Sequence, residues 1–139
     1  MDKINQKILS ILQSNGRIPF AALAKQVHLS APAVAERVKR LEESGVIKGY
    51  AAQVDLDAVG LPIVAHIQAR VFLGKEKDFI SLVRATPCIV ECDNVTGEKA
   101  FIMKVAVATM KALDSLLEEF SEISETNSMI VLSSIIEKT

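Results

Sequence analysis

Residues 19–50, PFAALAKQVHLSAPAVAERVKRLEESGVIKGY, constrain this chain more than any other stretch. Pro19 suits the first turn of a helix, where a missing N–H is harmless. Ala22, Leu23, Val27 and Leu29 give that helix a buried side. Ser30 is an N-cap for the next helix, with Pro32 in its first turn. Val34, Val38 and Leu41 recur at helical spacing and point inward, and Gly45 ends the helix. The sequence therefore predicts two short helices joined by a tight turn, the second carrying Arg37, Lys39 and Arg40. A helix pair with a basic second member can lay that member in the major groove of double-stranded DNA.

A further helix precedes the pair. Asp2 is its N-cap, Ile4, Ile8, Ile11 and Leu12 form its apolar face, and Asn15-Gly16 stops it. Val46 to Val54 reads as extended, a hairpin or wing bent at Gly49. Residues 55–62 hold Asp55, Asp57, Gly60 and Pro62 and read as a linker. Beyond it the pattern changes to strand (Ile63 to Leu73), helix (Lys75 to Ala85), strand (Cys88 to Thr96), turn (Gly97-Glu98), strand (Ala100 to Ala108), helix (Lys111 to Ile123) and strand (Ser128 to Glu137). That order is the split βαβ arrangement. The expected fold is α+β: an N-terminal winged helix-turn-helix over residues 1–54, then a ferredoxin-like βαββαβ domain over residues 63–139. Two helices on one side of such a sheet leave its other face bare. That face is expected to be apolar and so to need a partner, which predicts dimerisation through the sheet.

Charge divides along the same line. Residues 1–54 hold eight Lys and Arg against four Asp and Glu, a balance of +4, while the rest holds eight against thirteen, or −5. The basic part can approach a polyanion; the acidic part suits self-association or ligand sensing. On the basic helix Ala33, Glu36 and Arg40 fall opposite the apolar face, with Arg37 and Lys39 on its flanks. Ser30, Ala31, Pro32 and Ala33 make a slender tip that can approach base edges. Arg37 and Arg40 can reach a guanine edge or a phosphate. Lys39, Lys48 and Arg17 are phosphate candidates. A solvated face of i,i+4 ion pairs through Glu36, Glu42 and Glu43 is the bland alternative. It leaves unexplained the short helix, tight turn, capped slender tip and terminal glycine occurring together.

Other chemistries lack their residues. No nucleophile–base pair, phosphate loop or paired catalytic carboxylate is visible, so an enzyme is not expected. Cys88, Cys92 and His66 are too few for zinc, and neither metal nor cofactor is expected. The cysteines read as buried small residues sharing a strand face, His28 as a turn or phosphate-contacting residue, and Met110, Leu113 and Phe120 as core. No apolar run nears the roughly 20 residues of a membrane span. The start MDKINQ lacks a signal-peptide pattern, so a reduced cytoplasmic setting is expected.

The chain resembles the Lrp/AsnC, or feast/famine, family of regulators along nearly its whole length. The resemblance is carried by INQKIL (Ile4 to Leu9), NGR (Asn15 to Arg17), LA (Leu23-Ala24), LS (Leu29-Ser30), ERVKRLEESGVIKGY (Glu36 to Tyr50), Val59-Gly60, Glu91-Cys92 and VTGE (Val95 to Glu98). It implies a helix-turn-helix on DNA and a C-terminal ligand-sensing domain that binds amino acids in relatives. It also implies homodimers paired through their sheets and higher assemblies such as octamers, around which DNA can wrap. Thr96, Gly97, Glu98 and Ala100 are the implied effector residues. Many relatives carry an Asp where this chain has Ala100, which removes a partner for an amino-acid ammonium. An effector-independent, DNA-wrapping architectural protein is the alternative; Thr96-Gly97-Glu98 would then be a plain hairpin turn.

Overall fold

In the computed structural model, residues 1–137 are described and form two compact units, residues 1–53 and 54–137. Positions 138–139 of the expected C-terminal domain lie outside the described residues.

The first unit is three helices, α1 (Lys3–Ser14), α2 (Phe20–Val27) and α3 (Ala31–Glu43). Their caps follow the sequence. The Asn5 N–H donates to Asp2 Oδ1 at 2.7 Å, and the Ala33 N–H donates to Ser30 Oγ at 3.3 Å. Pro19, expected in the first turn of α2, stands just before it at the N-cap position and makes no side-chain capping bond. The α2–α3 turn is made by His28 in the left-handed region (φ 57°), with its N–H bonded to the Ala24 carbonyl. Ile8, Leu23, Ala24, Val27, Val34, Val38 and Leu41 form the buried core. Removing their apolar surface from water holds the three helices together.

Beyond α3 the expected wing is not built. Gly45 (φ 79°) reverses the chain, and the Ile47 N–H bonds back to the Leu41 carbonyl at 3.0 Å. Residues 46–54 then run without any strand ladder. Tyr50 lies against the α1–α2 turn, where a Cβ on Gly16 would sit 3.5 Å from its ring. A wing needs two strands to pair. This stretch instead satisfies its first backbone bond against the end of α3 and packs Ile47 on the helical core.

The second unit is β1 (Ile63–Val71), α4 (Glu76–Arg84), β2 (Ile89–Asn94), β3 (Phe101–Val107), α5 (Met110–Ser121) and β4 (Ser124–Ile130). The strands form one antiparallel sheet in the order β2-β3-β1-β4, the ferredoxin-like topology. Ala65, Ile67 and Ala69 of β1 and Phe101, Met103, Val105 and Val107 of β3 face the helices. There they meet Phe79, Leu113, Leu116 and Phe120. The Phe79 ring lies 4.8 Å from Phe101 and 5.3 Å from Phe120, centroid to centroid. Met110, expected in the core, is exposed in the first turn of α5. Cys88 and Cys92 are half-buried against this core, either side of a register shift between Ile89 and Glu91.

Two further expectations are corrected. The last strand lies at Ser124–Ile130, not at 128–137. Only two residues separate it from α5, and the buried Ser124 hydroxyl donates to the Phe120 carbonyl, pinning the strand's start. Val131 adds one more bond to Val64, and then Leu132, Ile135 and Ile136 stand exposed. The free sheet face is also not apolar. Register places Lys104 between Glu91 and His66, Ile102 between Asp93 and Gln68, and Arg70 beside Glu125. Arg70 Nη2 donates to Glu125 Oε2 at 2.6 Å. Self-association through this face would have to match charge as well as exclude water.

Candidate nucleic-acid interface and effector hairpin

The interface candidate is built on α3. Its N-terminal tip is Ser30, Ala31, Pro32 and Ala33, whose side chains add little bulk. Val34, Val38 and Leu41 anchor the helix in the core, so their opposites are forced outward. Glu36, Lys39 and Arg40 are exposed there. The basic side chains are not bare: Arg40 Nε donates to Glu36 Oε1 at 3.1 Å, and Lys39 Nζ lies 3.9 Å from Glu43 Oε1. Both are exposed i,i+4 pairs, each worth roughly 0.3–0.5 kcal/mol, which a phosphate can displace readily.

Arg37 differs. Its Nη1 donates to Asp2 Oδ2 at 2.8 Å and to Asn5 Oδ1 at 3.1 Å, tying α3 to the start of α1. Its side chain is 31% exposed against 76% for Arg40, so the two arginines occupy different settings. Sequence reasoning found Arg37 but not its partners. These lie 35 and 32 residues away, beyond the reach of any local spacing rule. The Asp2 carboxyl is held below its ordinary value, first by the Asn5 backbone N–H and then by the Arg37 guanidinium.

Arg17 and Lys48 belong to the same unit, are exposed, and have no ion pair among the described residues. The Arg17 N–H donates to Asn15 Oδ1, which shapes the turn after α1. These residues share one basic unit with the exposed side of α3.

The effector candidates lie elsewhere, on the β2–β3 hairpin. Thr96, Gly97 and Glu98 are exposed, Gly97 has φ 109°, and the Val95 N–H closes the hairpin onto the Ala100 carbonyl at 2.6 Å. Ala100 is not presented with them: its side chain packs against the core below the sheet. Sequence reasoning did not single out a shallow cleft on the free sheet face, lined by His66, Glu91, Asp93 and Lys104 among others. It is assembled by cross-strand register. The spacing within each strand gives no sign of it.

Residues 1–42 match the AsnC-type helix-turn-helix domain, and residues 65–139 match the Lrp/AsnC ligand binding domain. The chain is 36% identical over 135 residues to the HTH-type transcriptional regulator FL11 of Pyrococcus furiosus, covering 95% of this chain and 89% of that one. It is 33% identical to the leucine-responsive regulatory protein of Haemophilus influenzae, covering 97% and 86%. Among solved structures, LrpC of Bacillus subtilis superposes with a TM-score of 0.93 at 28% identity, over 99% of both chains. A transcriptional regulator of Neisseria meningitidis in complex with L-Met also superposes with 0.93, at 30% identity over 100% and 94%. Helix-turn-helix unit, four-stranded antiparallel sheet and whole-length similarity agree, and the chain belongs to the Lrp/AsnC family of helix-turn-helix transcriptional regulators.

Proposed function

We propose that the protein binds double-stranded DNA as a homo-oligomer, with α3 in the major groove, and that an amino acid or related small molecule on its C-terminal unit adjusts that binding. The observation that carries the reading is α3 itself. Its tip is slender and capped, and its outward face holds Arg40 and Lys39 in pairs weak enough to exchange for DNA. Arg40 would read a guanine edge, Ser30, Ala31 and Ala33 would approach bases, and Lys39, Arg17 and Lys48 would hold phosphates. Such a protein works where the genome is, in the cytoplasm.

A second copy is supported by the exposed Leu132, Ile135 and Ile136 beyond β4 and by the mixed charges of the free sheet face. Exposed apolar side chains in number need cover, and a dimer, or an octamer built of four dimers, supplies it. An amino-acid effector is supported by the L-Met complex of the Neisseria relative and by the exposed 96–98 hairpin, where Gly97 admits close backbone approach. The packing of Ala100 against the core favours a second reading, an architectural protein that wraps DNA without an effector.

Selection from random-sequence duplexes tests the first claim, with mass measured by light scattering with and without each amino acid. Enrichment of a site by an oligomer whose mass or affinity shifts with one amino acid supports the regulated form. Enrichment with no response to any amino acid supports the architectural form. No enrichment and no salt-sensitive binding would end both.

A further inference from the structure

We propose that Arg37 is a positioning residue: through Asp2 and Asn5 it sets the seating of α3 against α1, and it does not itself read DNA. This rests on the reading that α3 enters the groove.

Three groups form a closed polar circuit. One oxygen of the Asp2 carboxylate caps α1 by accepting from the Asn5 N–H, and its other oxygen accepts from Arg37. Asn5 supplies that N–H and, with its side-chain oxygen, a second acceptor for the same Arg37 nitrogen. The cap of the first helix and the tie to the third are therefore one carboxylate. Core contacts through Ile8, Val34 and Val38 hold the helices together but are non-directional and tolerate small slides and rotations. A charge-assisted hydrogen bond fixes direction as well as distance. The circuit thus determines how far the tip of α3 stands out, and so how it meets a groove. A displacement of about an ångström in such a site is enough to change function.

Electrostatics alone predicts the reverse for one variant, which makes the inference testable. Asp2 is an acid in a DNA-binding unit, so removing its charge should tighten binding to a polyanion. Under the positioning role, Asp2→Asn keeps the helix cap, loosens the tie, and weakens binding to the selected duplex by roughly fivefold. Arg37→Met weakens it similarly, and the two changes together do little more than either alone. Asn5→Asp added to Asp2→Asn returns a carboxylate beside Arg37 and restores affinity, although it returns negative charge to the unit. The slope of log affinity against log salt stays unchanged in Arg37→Met, since no phosphate contact is lost.

The experiment is fluorescence anisotropy of the full chain and these four variants on the selected duplex and a scrambled one, across a salt series. Weakening by Asp2→Asn with rescue by Asn5→Asp supports the positioning role. Unchanged or tighter binding by Asp2→Asn, or a slope reduced by about one in Arg37→Met, overturns it and makes Arg37 a DNA contact. Failure of the unaltered protein to bind any duplex would overturn the DNA-binding reading and the positioning role with it. Near-ultraviolet and far-ultraviolet circular dichroism checks that each variant is folded, and the rescue pair tests the role even where Arg37→Met is not.

Discussion

The guanidinium of Arg40 sits one helical turn from the carboxylate of Glu36, Nε donating to Oε1 at 3.1 Å, on the outward side of α3. The helix thus presents its strongest DNA-binding candidate already satisfied by a neighbour. An approaching guanine or phosphate has to exchange with Glu36, and that exchange costs little at an exposed pair.

Arg40→Ala should weaken binding to a selected site by about 1–3 kcal/mol while affecting a scrambled duplex much less. Glu36→Gln should act in the opposite sense on the scrambled duplex, since it frees Arg40 and removes a charge that repels phosphate. Anisotropy titrations on both duplexes check the pair. Equal losses on both duplexes for Arg40→Ala would make it a phosphate contact.

Phe79 is fully buried between β3 and α5, its ring tilted against Phe101 and edge-to-face with Phe120. Phe79→Ala should cost about 3–5 kcal/mol, read as a shift in the denaturation midpoint of the C-terminal unit. A loss below about 1 kcal/mol would mean the core closes over the cavity with unusual ease.

The folded Asp2 carboxyl titrates below its ordinary value of 3.8 because it accepts from the Asn5 N–H and from Arg37. A depressed folded value means the stabilisation is complete above the unfolded value and is lost as pH falls through the folded one. Glu125, held low by Arg70, adds a loss of the same sign in the C-terminal unit. Thermal unfolding followed downward from neutral pH should show the unaltered chain losing its advantage over Asp2→Asn only in the acid range below the ordinary carboxylate value. An advantage already vanishing near neutrality would contradict the assignment.

Ala100 packs its methyl group against the sheet core while the hairpin above it is exposed. Ala100→Asp should therefore lower stability by about 1–3 kcal/mol through partial burial of a charge. It should not confer amino-acid binding. Denaturation and calorimetric titration with L-Met measure the two effects; gained binding at unchanged stability would show that the side chain faces a ligand site.

Much of the molecule was legible because local rules sufficed. Asp2 and Ser30 are caps by residue type, Val34, Val38 and Leu41 share a face by spacing, and Gly45 stops a helix by its φ freedom. The order of strands and helices, which points to the ferredoxin-like topology, came from alternating patterns. What was not legible depends on distance in sequence. The partners of Arg37 lie on another helix, and the charges of the free sheet face align only through register. The last strand lies outside the apolar pattern because its polar run, SETNSMI, is an edge strand with little to bury. The apolar VLSSIIE that follows is exposed past Val131. Apolar pattern reports what needs covering, and a single chain does not always cover it.

The most direct test of the central claim is the salt dependence of binding to the selected duplex, from about 50 to 200 mM salt, for the unaltered chain and Arg40→Ala. The expected result is a linear fall of log affinity with log salt for both. At every salt, Arg40→Ala should be weaker than the unaltered chain on the selected site and close to it on the scrambled one. Affinity that is indifferent to salt, or an Arg40→Ala protein that binds the selected site as well as the unaltered chain, would contradict α3 as the element that meets DNA.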